Sequence, residues 1–276
     1  MKELINILNP VPGIKLICRN RTLLKQMVRR NVQSKYQGSA LGITWSVIHP
    51  LMMLIIYTYV FSVVFKARWG VQNASETKGA FAIILFCGMA VYSIFSEAVS
   101  LSATQITGNA NYVKKVVFPL PLLPVSQVVS SFVQGLVWVV LLLLGAIFIY
   151  GNISWTMLLL PLVWLPLFLF TLGISCFVAS LGVYFRDTPY VLQVILQVLF
   201  FITPIFYPIS AVPEKLQILL KVNPLTMMIE ETRKVLLYAQ VPDWKFFAVS
   251  LAVGIAVFIL GFAGFNKTQK GFADVL

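Results

Sequence analysis

The segment VRRNVQSKYQGSALGITWSVIHP, Val28 to Pro50, carries a strongly basic stretch straight into a run that stays apolar as far as Phe65. Leu24, Val28, Val32 and Tyr36 recur at a spacing of four, with Leu23 and Met27 beside them, while Lys25, Gln26, Arg29, Arg30 and Gln33 fill the other side. That pattern predicts a moderately amphipathic basic helix lying in a membrane interface. Gly38 and Gly42 in QGSALG then allow a sharp turn into a span. Each basic residue beside an anionic leaflet contributes roughly 1 kcal/mol of attraction, so anchoring alone accounts for the basic face.

The rest of the chain fits a membrane. Of 276 residues, 59% are hydrophobic and only 11% charged, and the mean hydropathy is +0.89. A soluble domain carries about a quarter charged residues. Apolar runs of about 20 residues recur, each long enough to cross a core about 30 Å thick. We read an all-α integral membrane protein with six transmembrane helices, at about Leu41 to Phe65, Ala80 to Ala103, Leu122 to Tyr150, Trp155 to Tyr184, Pro189 to Tyr207 and Phe246 to Phe265. These form a single domain over 1–276, with a cytoplasmic interfacial segment at 1–40, the six-span bundle at 41–265 and a cytoplasmic tail at 266–276.

The net charge of +12 would suggest nucleic acid in a soluble protein. Here the basic residues lie at the ends of apolar spans, which excludes that reading. Lys15, Arg19, Arg21, Lys25, Arg29, Arg30 and Lys35 fall on the same side as Lys114, Lys115, Arg186, Lys267 and Lys270. Lys66, Arg68, Glu76, Lys78, Glu214, Lys215, Glu230, Glu231, Arg233 and Lys234 mix signs on the other side. Both termini are therefore expected in the cytoplasm. No signal peptide is expected, because Pro10, Pro12 and Gly13 interrupt the start before an apolar core forms.

The segment between the fifth and sixth spans, about Pro208 to Trp244, reads as two short amphipathic helices broken at Asn223-Pro224. Each is too short to cross, so they form an interfacial or re-entrant hairpin, with a surface loop as the alternative.

Much chemistry is absent. The sequence contains no phosphate loop and no HExxH. Nor does it hold a cluster of His, Cys and carboxylates to take a metal, and Cys18, Cys87 and Cys176 are isolated. His49 in the first span is read as a hydrogen-bonding residue of the helix. Glu97, the one carboxylate well inside a span, is read as structural or facing water. No catalysis and no cofactor is expected of this chain.

Four stretches together resemble a family. These are SKYQGSALGITWSVIHP at Ser34 to Pro50, GVYFRDTPYVLQVILQVLFFITPIFYP at Gly182 to Pro208, VNPLTMMIEETR at Val222 to Arg233, and the short basic tail. They resemble the polysaccharide-exporting ABC-2 type permeases, the Wzm type that exports O-antigen, over about the whole chain. The resemblance implies a homodimer in the bacterial inner membrane. It also implies a separate cytoplasmic ABC ATPase that binds ATP and magnesium, and an undecaprenyl-diphosphate-linked polysaccharide as cargo.

The resemblance further implies site residues. Arg29, Arg30, Lys35 and Tyr36 would flank a gate for the diphosphate, since Arg offers a fork for phosphate oxygens. For any one of them, anchoring to membrane lipids is an equal alternative. Asn109, Tyr112, Lys114 and Lys115 in TGNANYVKKVVFPLPLLP would contact the ATPase. Tyr57, Tyr59, Phe200 and Tyr207 would line a conduit on which sugar rings slide, or else mark the membrane interface. Arg186 and Asp187 form a local ion pair or cap the helix that follows. Capsule or teichoic-acid export needs the same architecture. A drug or lipid exporter, and an ATP-independent channel or scaffold, are the remaining classes.

Overall fold

The structure is a computed structural model, and it describes residues 11–64, 78–114, 118–151 and 154–276. All regular structure among these residues is helical. Lys115, proposed above as a coupling residue, and Lys66, Arg68 and Glu76 lie outside the described residues.

The basic segment folds as expected. α1 (Val11–Arg19) and α2 (Arg21–Ser34) are successive helices, and Met27 on the apolar stripe of α2 is buried at 5% exposure. Gly38 and Gly42 have φ of +83° and +53°, left-handed values that a side chain disfavours. The chain thus turns upward there into a 3₁₀ turn (Gly42–Thr44), α3 (Trp45–Thr58) and a wide π turn (Tyr59–Val64). Only 6% of the most apolar window of this span is buried.

α4 (Lys78–Ser102) is the hub, with 72% of its apolar window buried. α6 (Leu122–Tyr150), a 3₁₀ turn (Trp155–Leu159), α7 (Leu160–Tyr184) and α11 (Trp244–Thr268) complete the five helices that, among the described residues, are long and apolar enough to cross a membrane. α7 and α11 lie backbone to backbone. A Cβ on Gly261 would stand 2.0 Å from the Gly173 carbonyl oxygen, and one on Gly173 would stand 2.4 Å from that of Val257. Small residues at such crossings let helices approach in lipid, where apolarity alone drives no association.

The expected fifth span is shorter than the sequence suggested. α8 (Thr188–Ile202) has 15 residues, about 22 Å of helix against a core of about 30 Å. It stops at Ile202 because Pro204 has no N–H to continue the ladder. Residues 203–207 are irregular, and the backbone N–H of Ile205 donates to the Thr203 carbonyl at 2.7 Å.

α9 (Glu214–Val222) and α10 (Pro224–Leu236) are the two short helices expected after it. They differ sharply from each other. α9 leaves Leu216, Ile218, Leu219 and Val222 exposed, whereas α10 packs against α4, α7 and α11 and buries Leu225, Met228, Ile229, Val235 and Leu236. The sequence reading placed Arg233 in an outer segment of mixed sign. In the structure its side chain is completely buried.

One end of the bundle collects the basic elements. Met27 of α2, Tyr112 of α5 (Ala110–Lys114), Leu122 and Leu123 of α6, Val183 of α7 and Phe265 of α11 share one apolar cluster, which Phe272 of the terminal α12 (Phe272–Val275) completes. Tyr184 donates to the Thr268 carbonyl at 2.9 Å, so the basic tail sits at this same end.

Candidate functional site

A polar cleft opens at the end of α2. Lys35 follows the helix directly, and its Nζ donates to Glu97 Oε2 at 2.7 Å and to Gln134 Oε1 at 2.6 Å. Tyr36 adds its hydroxyl to the same Gln134 oxygen at 3.2 Å. The turn after α2 is thereby stapled to α4 and α6. Burial and the nearby Glu97 carboxylate raise the Tyr36 pKa, partly opposed by a hydrogen bond with Ser46. Its phenol therefore stays protonated, and a donor, at neutral pH.

These groups line a cavity of about 620 Å³ together with His49, Ser93, Ser96, Ser100 and Trp138. A second cavity of about 290 Å³ shares His49, Ser93, Ser96, Trp138 and Leu196 with it, and extends to Tyr57, Tyr92 and Phe200. The two adjoin through these shared walls, one reaching the basic end of the molecule and the other an aromatic cluster. Glu97 therefore has a partner and faces a polar space. Ser93, Ser96, Glu97 and Ser100 fall three or four apart on one side of α4, a polar stripe on an apolar span that the sequence reading did not draw.

The aromatic cluster combines expected and unexpected residues. Tyr57 lies 5.9 Å from Phe200 and 5.2 Å from Phe206, and Phe61 stacks on Phe206 at 4.4 Å. Tyr92, which the sequence reading missed, packs on Phe200 at 5.0 Å and donates its hydroxyl to the Leu196 carbonyl. Tyr59 and Tyr207 do not join the path. Tyr59 is 59% exposed on the outer face of its span. Tyr207 donates to the carbonyls of Phe201 and Ile202, both at 3.0 Å, and so caps the broken end of α8.

The expected gate and coupling residues meet. Arg30 Nη1 donates to the Tyr112 hydroxyl at 3.1 Å, and Nη2 to Asn109 Oδ1 at 3.4 Å. The guanidinium also stands 5.9 Å from the Tyr112 ring centre. Tyr112 in turn stacks on Phe118 at 4.5 Å. Asn109 is fixed by its own amide, which donates to the Gln105 carbonyl at 2.8 Å. Arg29 and Lys114 are exposed.

Arg186 and Asp187 do not form the expected ion pair: neither takes part in the ion pairs of the described residues. Asp187 does occupy the position before α8, but its side chain makes no capping bond there. Both residues are exposed, and solvation leaves such a pair little to gain by closing.

A further feature escaped the sequence reading. Arg233 Nη1 donates to the Pro204 carbonyl at 3.0 Å and to Glu230 Oε1 at 2.7 Å. Nη2 donates to the Ile205 carbonyl at 3.1 Å, and Nε to that of Ile84 at 3.4 Å. The guanidinium thus satisfies carbonyls released where α8 breaks. Gly88 makes room for it, since a Cβ there would lie 2.7 Å from Nη2. Asn223 Nδ2 holds Thr203 Oγ1 at 3.0 Å from the other side. The charged run EETRK shows the spacing for Glu230–Arg233 and Glu231–Lys234 pairs. Burial of that run could not be read from its composition.

No group of three or more His, Cys, Asp or Glu side chains converges among the described residues.

A family profile described as ABC-2 type transporter matches residues 22–237. The chain is 27% identical over 257 residues to a Klebsiella pneumoniae protein named O-antigen export system permease protein RfbA, covering 92% of this chain and 95% of that one. The protein of the same name from Myxococcus xanthus is 26% identical over 264 residues, covering 95% and 98%. Polysialic acid transport protein KpsM of Escherichia coli is 22% identical over 252 residues, covering 86% and 93%.

Proposed function

Because this chain belongs to the ABC-2 type transporter family, we propose that it is the membrane-spanning subunit of an ATP-driven exporter of an undecaprenyl-diphosphate-linked O-antigen polysaccharide. The observation that carries this reading is the path from Lys35 and Tyr36 to Tyr57 and Phe200. It begins with charged and hydroxyl groups at the basic end and finishes in aromatic rings. Aromatic faces stack on the C–H surfaces of sugars without gripping them, and that suits a sliding polymer. Relatives named for O-antigen export align over more than nine-tenths of the chain. Export of a capsular polymer is the second reading, and the KpsM relative favours it.

The sequence holds no phosphate loop, so energy comes from a separate cytoplasmic ATPase docked at α5 and its neighbours. Arg29, exposed on α2, is the guanidinium free to meet a diphosphate at the lip. The chain lies in the bacterial inner membrane with both termini in the cytoplasm. α8 serves as a short fifth span, completed by a re-entrant hairpin of α9 and α10. The nearly bare first span and the exposed Val191, Val194, Ile195 and Val198 of α8 support a second copy, related by a two-fold axis, packed against these faces.

The test is deletion of the gene followed by analysis of surface polysaccharide, with the tagged chain purified in parallel. Loss of long-chain lipopolysaccharide, restored by the native gene, together with a co-purifying ATPase, is the expected result. Intact O-antigen with a missing capsule would favour the second reading. Unchanged surface glycan and no ATPase would overturn both.

A further inference from the structure

Two contacts lie at the ends of one stretch of helix. Arg30 is tied to Asn109 and Tyr112, and Lys35, at the C-cap of α2, is tied to Glu97 and Gln134. Lys35 itself keeps helical backbone angles, φ −61° and ψ −31°, so the two residues stand about 7.5 Å apart along a continuous helical rise. Asn31 between them donates to Ser126 at 3.3 Å.

The geometry points to a lever. α2 is the bar, Arg30 its handle on the coupling stretch, and Lys35 a latch across the mouth of the cleft. Arg30 is thereby a positioning residue and not a ligand of the diphosphate. Its Nη1 is engaged by a hydroxyl, its Nη2 by an amide oxygen, and its face by a ring. A displacement of Asn109 and Tyr112 moves Arg30, and a helix passes the motion along its axis with little internal give. At the far end, Lys35 bridges to two different helices over short distances. A shift of about 1 Å takes such bonds beyond hydrogen-bonding range. Release frees the Lys35 ammonium from Glu97 and Gln134 only when the coupling stretch has moved. The cation that an anionic headgroup meets already lines the cleft; it is unpaired in one state of the cycle and neutralised by Glu97 in the other.

This inference rests on the proposed ATPase partner. The test uses the intact complex with Cys18→Ser, since Cys18 is exposed while Cys87 and Cys176 are buried. Ser100→Cys, on the cleft wall, reports opening through its rate of reaction with a membrane-impermeant maleimide, without nucleotide and in the vanadate-trapped state. ATP hydrolysis is recorded on the same samples. The rates are expected to differ by roughly fivefold or more between the two states. Arg30→Gln and Tyr112→Phe should abolish that difference, and Arg30→Lys should restore part of it. Glu97→Gln should give fast reaction in both states. The lever is overturned if the Arg30→Gln complex keeps the nucleotide-dependent difference, or if the unsubstituted complex shows none. Should Arg30→Gln not assemble, Tyr112→Phe, which removes a single hydroxyl, decides alone. A preparation in which no ATPase accompanies the chain is recognised before any labelling, and it overturns the export reading itself.

Discussion

Arg233 is the residue on which the outer part of the molecule depends. It is fully buried, and its three nitrogens each hold a backbone carbonyl. Removing one member of a buried ionic network leaves the others unpaired, at about 3–5 kcal/mol. Arg233→Ala should therefore lower the thermal midpoint in detergent markedly. Gly88→Ala, which crowds the same guanidinium, should lower it less, by the equivalent of about 1–3 kcal/mol. Equal midpoints for Arg233→Ala and the native chain, in a detergent thermal-shift assay, would rule out the pin. The two span tyrosines make a sharper functional comparison. Tyr57 belongs to the aromatic cluster and Tyr59 faces outward. Tyr57→Ala should reduce export severalfold more than Tyr59→Ala at equal membrane abundance, measured as surface polysaccharide per copy. The opposite order would remove Tyr57 from the path.

At the scale of elements, the parts with strong period or length were legible and those set by packing were not. The amphipathic stripe of α2 and the turn at Gly38 and Gly42 could be read directly, because a 3.6-residue period and a pair of glycines each have a local physical cause. The end of α8 was placed five residues late, at Tyr207 instead of Ile202, because apolar residues continue past a break that Thr203 and Pro204 impose. The aromatic cluster was half legible. Tyr57 and Phe200 could be chosen by type, but which aromatic faces inward depends on helix rotation, so Tyr59 was included and Tyr92 passed over. Close packing of α7 on α11 is likewise invisible in composition. Gly261→Leu should force the two backbones apart and destabilise the bundle by more than Gly38→Ala. For the latter, a left-handed φ in open space makes the cost only about 1 kcal/mol. Thermal midpoints of the two variants in the same detergent check that order.

Across the whole molecule, the apolar surface is unevenly shared. α4 is enclosed by its neighbours, while the first span and α8 turn exposed faces outward. If a second copy covers those faces, single cysteines at Ile55 or Val194, both more than 60% exposed, should cross-link between copies in native membranes. A cysteine at Phe148, 92% exposed on α6, serves as the comparison. Cross-linking at Phe148 and not at the other two would move the interface to α6. The gathering of basic residues at one end could be read from the sequence by the positive-inside rule. What the sequence left hidden is that the same end joins α2 to Asn109 and Tyr112 and to the cleft mouth through Arg30 and Lys35.

The sparse contacts of the Gly42–Val64 span also bear on how such a chain can change over generations. Replacing the exposed side chains there, such as Ile55, Ile56 and Val63, leaves the core around α4 untouched, whereas Tyr57 and Phe61 pack into it, so the outer face of this wall can be altered without the fold of one copy being renegotiated. If a second copy covers this face, the boundary between the copies can be reshaped by a handful of neutral steps, while the enclosed helices keep each copy standing.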